Sequence, residues 1–347
     1  MLNSLALFIL ALTLMAPALY AADEPQIKIE DIRKLAEAGN ADAQYMLASS
    51  FLGGQGQPRN PAMARIWFQK AAEQEQTEAQ FSLAVMYDNG MGVEQNKTEA
   101  AKWYTKAALK GIPAAQSSLG RMYANGEGVP RNGYESTKWY RMAADKGDAN
   151  AQFAIGESYG LGLGVAKNQF EAVKWYVMAA EQSHVKAMTA VGEALLFGNG
   201  LPQNDEKGVY WLKRAANQRD KQAQYILGVE YLHGRAFEHN TVTAVSWLRK
   251  AAEQDHMQAQ LEIAHVFNTG ATDLRPDFDE AMKWYIRAGK LGNATAQFNV
   301  GTMYYNGQGV TKNVGEAIVW FRKAADQGFA PARDALLGIL KEQSSIK

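Results

Sequence analysis

The chain has 347 residues, 36 basic against 36 acidic side chains, and no cysteine. Zero net charge argues against a nucleic-acid binder, which needs a basic excess to displace counterions from phosphates, and against a polybasic membrane-surface protein. The missing cysteines exclude disulfide frameworks, thiolate zinc sites and a cysteine nucleophile.

The first element in chain order is an apolar run from Leu5 to Met15, followed by Ala16-Pro17-Ala18-Leu19-Tyr20-Ala21-Ala22 and the acidic Asp23-Glu24. Residues 1–22 read as a secretory signal peptide cleaved near Ala21 or Ala22, although Lys and Arg are missing from its start. The alternative is an uncleaved anchor, since Leu5 to Ala22 just reaches membrane-spanning length. Pro17 and the small residues suit a processing site better. Without a cysteine after the apolar run, a lipoprotein anchor is unavailable. The mature chain is expected to be soluble, exported and bacterial, either periplasmic or secreted, with no stable membrane insertion.

From residue 27 onward one period dominates. All eight tryptophans fall in one column, Trp67, Trp103, Trp139, Trp175, Trp211, Trp247, Trp284 and Trp320, spaced by 36 residues with a single step of 37. Such self-similarity is the signature of a repeat architecture. Seven residues before each Trp stands an Asn or Asp (Asn60, Asn96, Asn132, Asn168, Asn204, Asn240, Asp277, Asn313), a preferred helix N-cap. Glu99, Glu135, Glu171, Glu280 and Glu316 follow three residues later, in a pattern like the reciprocal capping box. Gly111, Gly147, Gly292 and Gly328 suit the left-handed position that ends these helices. Glu75, Ser183, Arg219 and Asp255 stand in that column elsewhere, which predicts strained or altered turns.

A second helix in each unit starts near an Ala-Gln pair, as at Ala43-Gln44 or Ala151-Gln152. It carries an aliphatic column (Leu47, Leu83, Leu119, Ile155, Val191, Leu227, Ile263, Val300). Next to it runs a small column (Ala48, Ala84, Gly120, Gly156, Gly192, Gly228, Ala264, Gly301) that lets a neighbouring helix approach. An aromatic column follows four residues after the aliphatic one, on the same face.

A unit such as TEAAKWYTKAALKGIPAAQSSLGRMYANGEGV resembles the Sel1-like repeat, a relative of the tetratricopeptide repeat, and the resemblance covers residues 27 to about 342. It implies an all-α, right-handed α-solenoid of antiparallel helix pairs, with one helix set lining a concave surface. Eight full units are expected at 41–76, 77–112, 113–148, 149–184, 185–220, 221–256, 257–293 and 294–329. They are flanked by a degenerate half-unit from Ile27 to Ala38 and a closing helix over 331–341.

Candidate chemistry is sparse. The Gly-x-Gly turns (Gly90 and Gly92, Gly126 and Gly128, Gly162 and Gly164, Gly307 and Gly309) lack the strand and the Lys-Ser/Thr partner of a phosphate loop. Ser183-His184-Val185-Lys186 matches the Ser-x-x-Lys signature of serine β-lactamases, without the companion motifs. Some cysteine-rich relatives carry a β-lactam hydrolase label, but this chain has no cysteine, so the transfer fails. His184 and His256 share a loop column 72 residues apart, too far for one metal, and His233, His239 and His265 read as solvated or partly packed. No cofactor and no metal is expected. The regular Trp column, backed by paired alanines, reads as core rather than as a stacking surface.

Columns whose chemistry does not repeat are left. One reads Ser49, Val85, Arg121, Glu157, Glu193, Val229, His265, Thr302. The next reads Ser50, Met86, Met122, Ser158, Ala194, Glu230, Val266, Met303. Both are expected to be exposed, because the repeat core does not dictate them. By analogy with tetratricopeptide arrays they face a groove. Units five to seven also carry irregular turns, where Arg235, Phe237 and Arg275 could form a loop contact. The resulting expectation is an exported, non-enzymatic interaction scaffold holding an envelope or host protein, with Arg121, Glu157, Glu193, Glu230, His265, Arg235, Phe237 and Arg275 as candidate partner contacts. A β-lactam hydrolase and an envelope regulator or sensor are the alternatives.

Overall fold

The computed structural model describes residues 28–271 and 274–345, so the segment read as a signal peptide lies outside the described residues. Two compact units divide the chain at Lys110 and Gly111. In the first are α1 (Ile29–Glu37), α2 (Ala41–Gly53), α3 (Pro61–Glu73), α4 (Thr77–Asn89) and α5 (Lys97–Leu109). The second begins with α6 (Pro113–Asn125), α7 (Gly133–Ala144), α8 (Ala149–Leu161), α9 (Gln169–Glu181), α10 (Val185–Phe197) and α11 (Asp205–Asn217). It continues with α12 (Lys221–His233), α13 (Thr241–Glu253), α14 (Met257–Thr269), α15 (Phe278–Lys290), α16 (Ala294–Asn306), α17 (Val314–Asp326) and α18 (Ala330–Ser345). Among the described residues there is no strand, although Ala271 and Leu274 form an isolated bridge. Within each unit a helix packs chiefly on its neighbours in sequence, as in an all-α repeat solenoid. Below, the even-numbered helices α2 to α16 are A helices, and the Trp-bearing α3 to α17 are B helices.

Local chemistry sets the helix boundaries. At all eight B helices the Asn or Asp side chain accepts the backbone N–H three residues on, at 2.8–3.2 Å. The reciprocal half of the capping box is not used. Each cap's own N–H instead donates to the aromatic-column carbonyl of the preceding A helix, for example Asn60 to Phe51 and Asn168 to Tyr159, both at 2.8 Å. The third-position glutamates are thereby released to pair along the helix. Glu99 meets Lys102, Glu135 meets Lys138, Glu171 meets Lys174 and Glu280 meets Lys283.

The turn after the B helix needs a left-handed residue in every unit. Glu75, Ser183, Arg219 and Asp255 adopt it with φ of 58–67° despite their Cβ atoms. The second glycine of the turns at Gly92, Gly164 and Gly309 answers a further demand. A Cβ on Gly164 would collide with the Gly133 carbonyl, and one on Gly309 with that of Phe278. These turns therefore rest directly on the start of the preceding repeat's B helix. In the A-helix small column the approach is by a side chain. The Tyr176 ring covers Gly156, Leu212 covers Gly192, and Phe321 covers Gly301.

Burial follows the columns with two differences. Leu47, Leu83, Leu119, Ile155, Val191, Leu227, Ile263 and Val300 are all buried, as are the paired alanines after Trp67, Trp103, Trp139, Trp175, Trp211 and Trp247. Trp67, Trp139, Trp175, Trp284 and Trp320 are buried, whereas Trp103, Trp211 and Trp247 are half-buried. A Lys or Arg lies over every one of the eight indoles, from Lys250 at 3.9 Å over Trp247 to Lys138 at 5.6 Å over Trp139. The Trp column is thus the outer wall of the core, with one ring face offered to cations.

The second difference concerns the Gln of the Ala-Gln pair. Gln44, Gln80, Gln152, Gln224, Gln260 and Gln297 are buried, and each Nε2 donates to the carbonyl eight residues earlier, at the end of the preceding B helix or, for Gln44, of α1. Gln74, Gln182, Gln254 and Gln327, at the ends of the next B helices, donate in turn to the Oε1 of Gln44, Gln152, Gln224 and Gln297 at 2.7–2.8 Å. Where that later position is Lys110 or Leu291, the Oε1 of Gln80 or Gln260 accepts no hydrogen bond. Each glutamine therefore ties an orphan helix-end carbonyl into the adjacent repeat.

Candidate functional site

The outward face of the A helices is where the repeat stops prescribing residues. In the second unit it presents Arg121, Glu157, Glu193, Val229, His265 and Thr302, each exposed or half-buried. Arg121 forms an ion pair with Glu127 of its own turn. Glu157 and Glu193 lie on consecutive A helices, α8 and α10, and both act on the Tyr176 phenol. Burial pushes each carboxyl above its usual range, with Lys186 opposing the rise at Glu157 and Gln222, donating at 3.0 Å, opposing it at Glu193. Burial, reinforced by these two charges, pushes the Tyr176 phenol up to about 12. Two carboxylates flanking a phenol, partly stripped of water, form an acidic strip that gains from a cationic partner group. His265 is exposed one repeat beyond Val229.

The second non-repeating column is not part of this surface. Ser50, Met86, Met122, Ser158, Ala194, Glu230, Val266 and Met303 are all buried, which corrects the expectation that variable chemistry means exposure. Glu230, 3% exposed, holds Arg235 at 2.6 Å, so these two candidate contacts neutralise each other inside a turn. Phe237 stacks on Tyr231 with ring centroids 3.9 Å apart and packs on the core, with Lys213 over its outer face. Arg235 and Phe237 therefore rebuild a turn that has lost its Gly-x-Gly. Arg275 is exposed on the rim of an open cavity of about 490 Å³ lined also by Phe267, Leu274, Pro276 and Phe278. It is well removed in sequence from the Glu157–Glu193 strip, and nothing brings the eight candidates into one constellation.

The residues screened for catalysis have structural places. Ser183 is a left-handed turn residue whose Oγ accepts from Arg214 at 3.3 Å. Lys186, on the next helix, acts electrostatically on Glu157 and His184. His184 and His256 are helix caps: their Nδ1 atoms accept the N–H of Ala187 and Ala259, both at 3.2 Å. That role was missed in the sequence, although Asn40, Asp148, Asp220 and Asn293 in the same column signal it. Among the described residues no group of His, Asp and Glu is placed to hold a metal ion, and no helix is long and apolar enough to cross a membrane.

Comparison with known proteins places this geometry. A Sel1 repeat protein from Oxalobacter formigenes superimposes with a TM-score of 0.71 at 27% identity, over 95% of this chain and 99% of the other. A protective antigen present in uropathogenic Escherichia coli strains, displaying an SLR fold, matches with a TM-score of 0.63 at 30% identity, over 90% and 82%. The rat DAP3-binding cell death enhancer 1 is 36% identical over 63 residues, 18% of this chain. The chain aligns with only 7–12% of the length of the curated relatives it matches. The Sel1 repeat model matches eight times, at residues 41–75, 77–112, 113–148, 149–184, 185–220, 221–256, 258–293 and 294–329. With that match covering most of its length, the chain belongs to the Sel1 repeat family.

Proposed function

We propose that this Sel1 repeat protein is an exported, non-enzymatic adaptor that holds a protein partner on the A-helix face of its second unit. One observation carries the reading. The column Arg121, Glu157, Glu193, Val229, His265, Thr302 mixes cationic, acidic, apolar and polar side chains and reaches solvent, while the aliphatic and small columns of the same helices repeat and are buried. Core packing does not explain that variation, and recognition of a particular surface does. The carboxylates of Glu157, exposed, and Glu193, half-buried, favour a partner segment bearing Lys or Arg. Two relatives are in keeping with this: one is named for binding another protein, and the other is described as a protective antigen of a bacterial pathogen. Export rests on the apolar leader of residues 1–22.

The test uses the chain from residue 23 onward as bait against envelope extract and host-cell lysate. A genuine partner is lost when Glu157 and Glu193 are both changed to Lys, and retained when the exposed Lys138 and Lys174 of the B helices are changed to Glu. Binding indifferent to the first pair removes the A-helix face from the reading. The hydrolase alternative is checked by nitrocefin turnover. Ser183→Gly suits the left-handed turn, so turnover in the parent that disappears in this folded variant would establish catalysis instead.

A further inference from the structure

Seven A helices take a side-chain cap, and at two of them the cap is an imidazole. Asn40, Gln76, Asp148, Asp220 and Asn293 use an amide or carboxylate oxygen, which stays an acceptor from neutral pH down to pH 5. His184 and His256 use Nδ1, which accepts only while the ring is neutral. Each ring also bridges two repeats. His184, capping α10, stacks on Phe153 of α8 with centroids 4.7 Å apart. His256, capping α14, stacks on Tyr225 of α12 at 4.6 Å, and its Nε2–H donates to Gln222 Oε1 at 3.0 Å. The two histidines therefore sit at the joint between repeats 4 and 5 and at the joint between repeats 6 and 7. Between them lie repeats 5 and 6 alone.

We infer that His184 and His256 are acid-labile caps whose protonation loosens repeats 5 and 6, residues 185–256, from the repeats on either side. A proton on Nδ1 turns the acceptor into a donor facing another donor, and sets a cation against the positive end of a helix. The charges acting on the rings are mixed. At His184, Lys186 opposes protonation and Asp148, the cap of α8, favours it. At His256, Lys221 opposes it and Asp220, the cap of α12, favours it, while neighbouring Asp255 is engaged by Arg287 at 2.9 Å. Burial adds to the opposition in both cases, and holds both rings below the usual imidazole range. The aromatic partners return part of the cost by cation–π attraction. The first joint has a second weakness. Met188 stands where other repeats place the glutamine that ties the A helix to the preceding B helix. At the second joint Gln260 keeps that bond to the Ala252 carbonyl at 2.9 Å.

The sign follows from the lowered values. The caps contribute fully above the ordinary imidazole value near 6.5, and their contribution is lost as pH falls through the folded-state values below it. The test is hydrogen–deuterium exchange of the whole chain between pH 7.5 and 5, corrected for intrinsic exchange. Protection of the Ala187 and Ala259 amides should fall first, followed by protection across 185–256, by about tenfold or more, while 41–75 and 294–329 change little. The double variant His184→Asn, His256→Asn keeps an acceptor that other repeats already use and should hold its protection across the same range. Equal loss in the double variant overturns the inference, as does a parent chain with no loss. Should the variant not fold, proton NMR of the parent decides. Imidazole titrations of His184 and His256 at or above the ordinary value overturn it, and depressed ones sustain it.

Discussion

Glu75, Ser183, Arg219 and Asp255 occupy left-handed turns that other repeats give to glycine, and a side chain there costs about 1–2 kcal/mol. Glycine at Arg219 is expected to stabilise by about 0.5–1 kcal/mol after its own greater chain entropy is counted, measurable by urea unfolding, and glycine at Glu75 by less, because its carboxylate holds Lys110. Asp255 should gain less, because its carboxylate holds Arg287. The tryptophans should separate by burial: Trp139→Ala is expected to cost about 3–5 kcal/mol, and half-buried Trp211→Ala clearly less. The carboxyls of Glu157 and Glu193 are raised by burial, so the charged forms oppose folding and stability from these groups grows as pH falls through their folded-state values. Glu193→Gln should therefore raise the melting temperature more at pH 7.5 than at pH 4.5. Sequence reasoning misplaced the Ser50–Met303 column at this scale. Chemical variability does not imply exposure there, since Ser50 stands three residues after Leu47, on the same helical face. Variation survives there because turn residues answer it, as Arg235 answers Glu230.

Helix ends were the most legible elements. A cap depends on one side chain and the three residues after it, so all eight Asn or Asp caps could be read without knowing what the helices pack against. Asn168→Ala should cost about 1 kcal/mol. The reciprocal capping box failed for a reason the local sequence hides: the cap's N–H belongs to the previous helix's carbonyl. The glutamine ties were likewise invisible, because each joins groups from two repeats. Gln224 donates to Ala216 and accepts from Gln254. Gln224→Met should strand both partners and cost about 1–3 kcal/mol, read as a lower urea midpoint. At repeat 5 methionine already stands there, so Met188→Gln should be much closer to neutral.

For the whole molecule, a one-dimensional array makes stability a sum over repeats and the joints between them. The period declared this architecture through the Trp column, because every unit must solve the same packing problem. A binding face obeys no such constraint, and its residues are distinguished only by failing to repeat. That is why the A-helix column could be nominated while Glu230, Arg235 and Phe237 were drawn in beside it. The most direct test places a photo-crosslinking residue at Glu193, at Val229 or at His265, and, as controls, at the B-helix positions Lys138 and Lys174. With a protein partner on the A-helix face, the first three positions capture one common protein and the two controls do not. Capture from the B-helix positions, or none from the A-helix positions in extracts where the chain is retained by a partner, would contradict it.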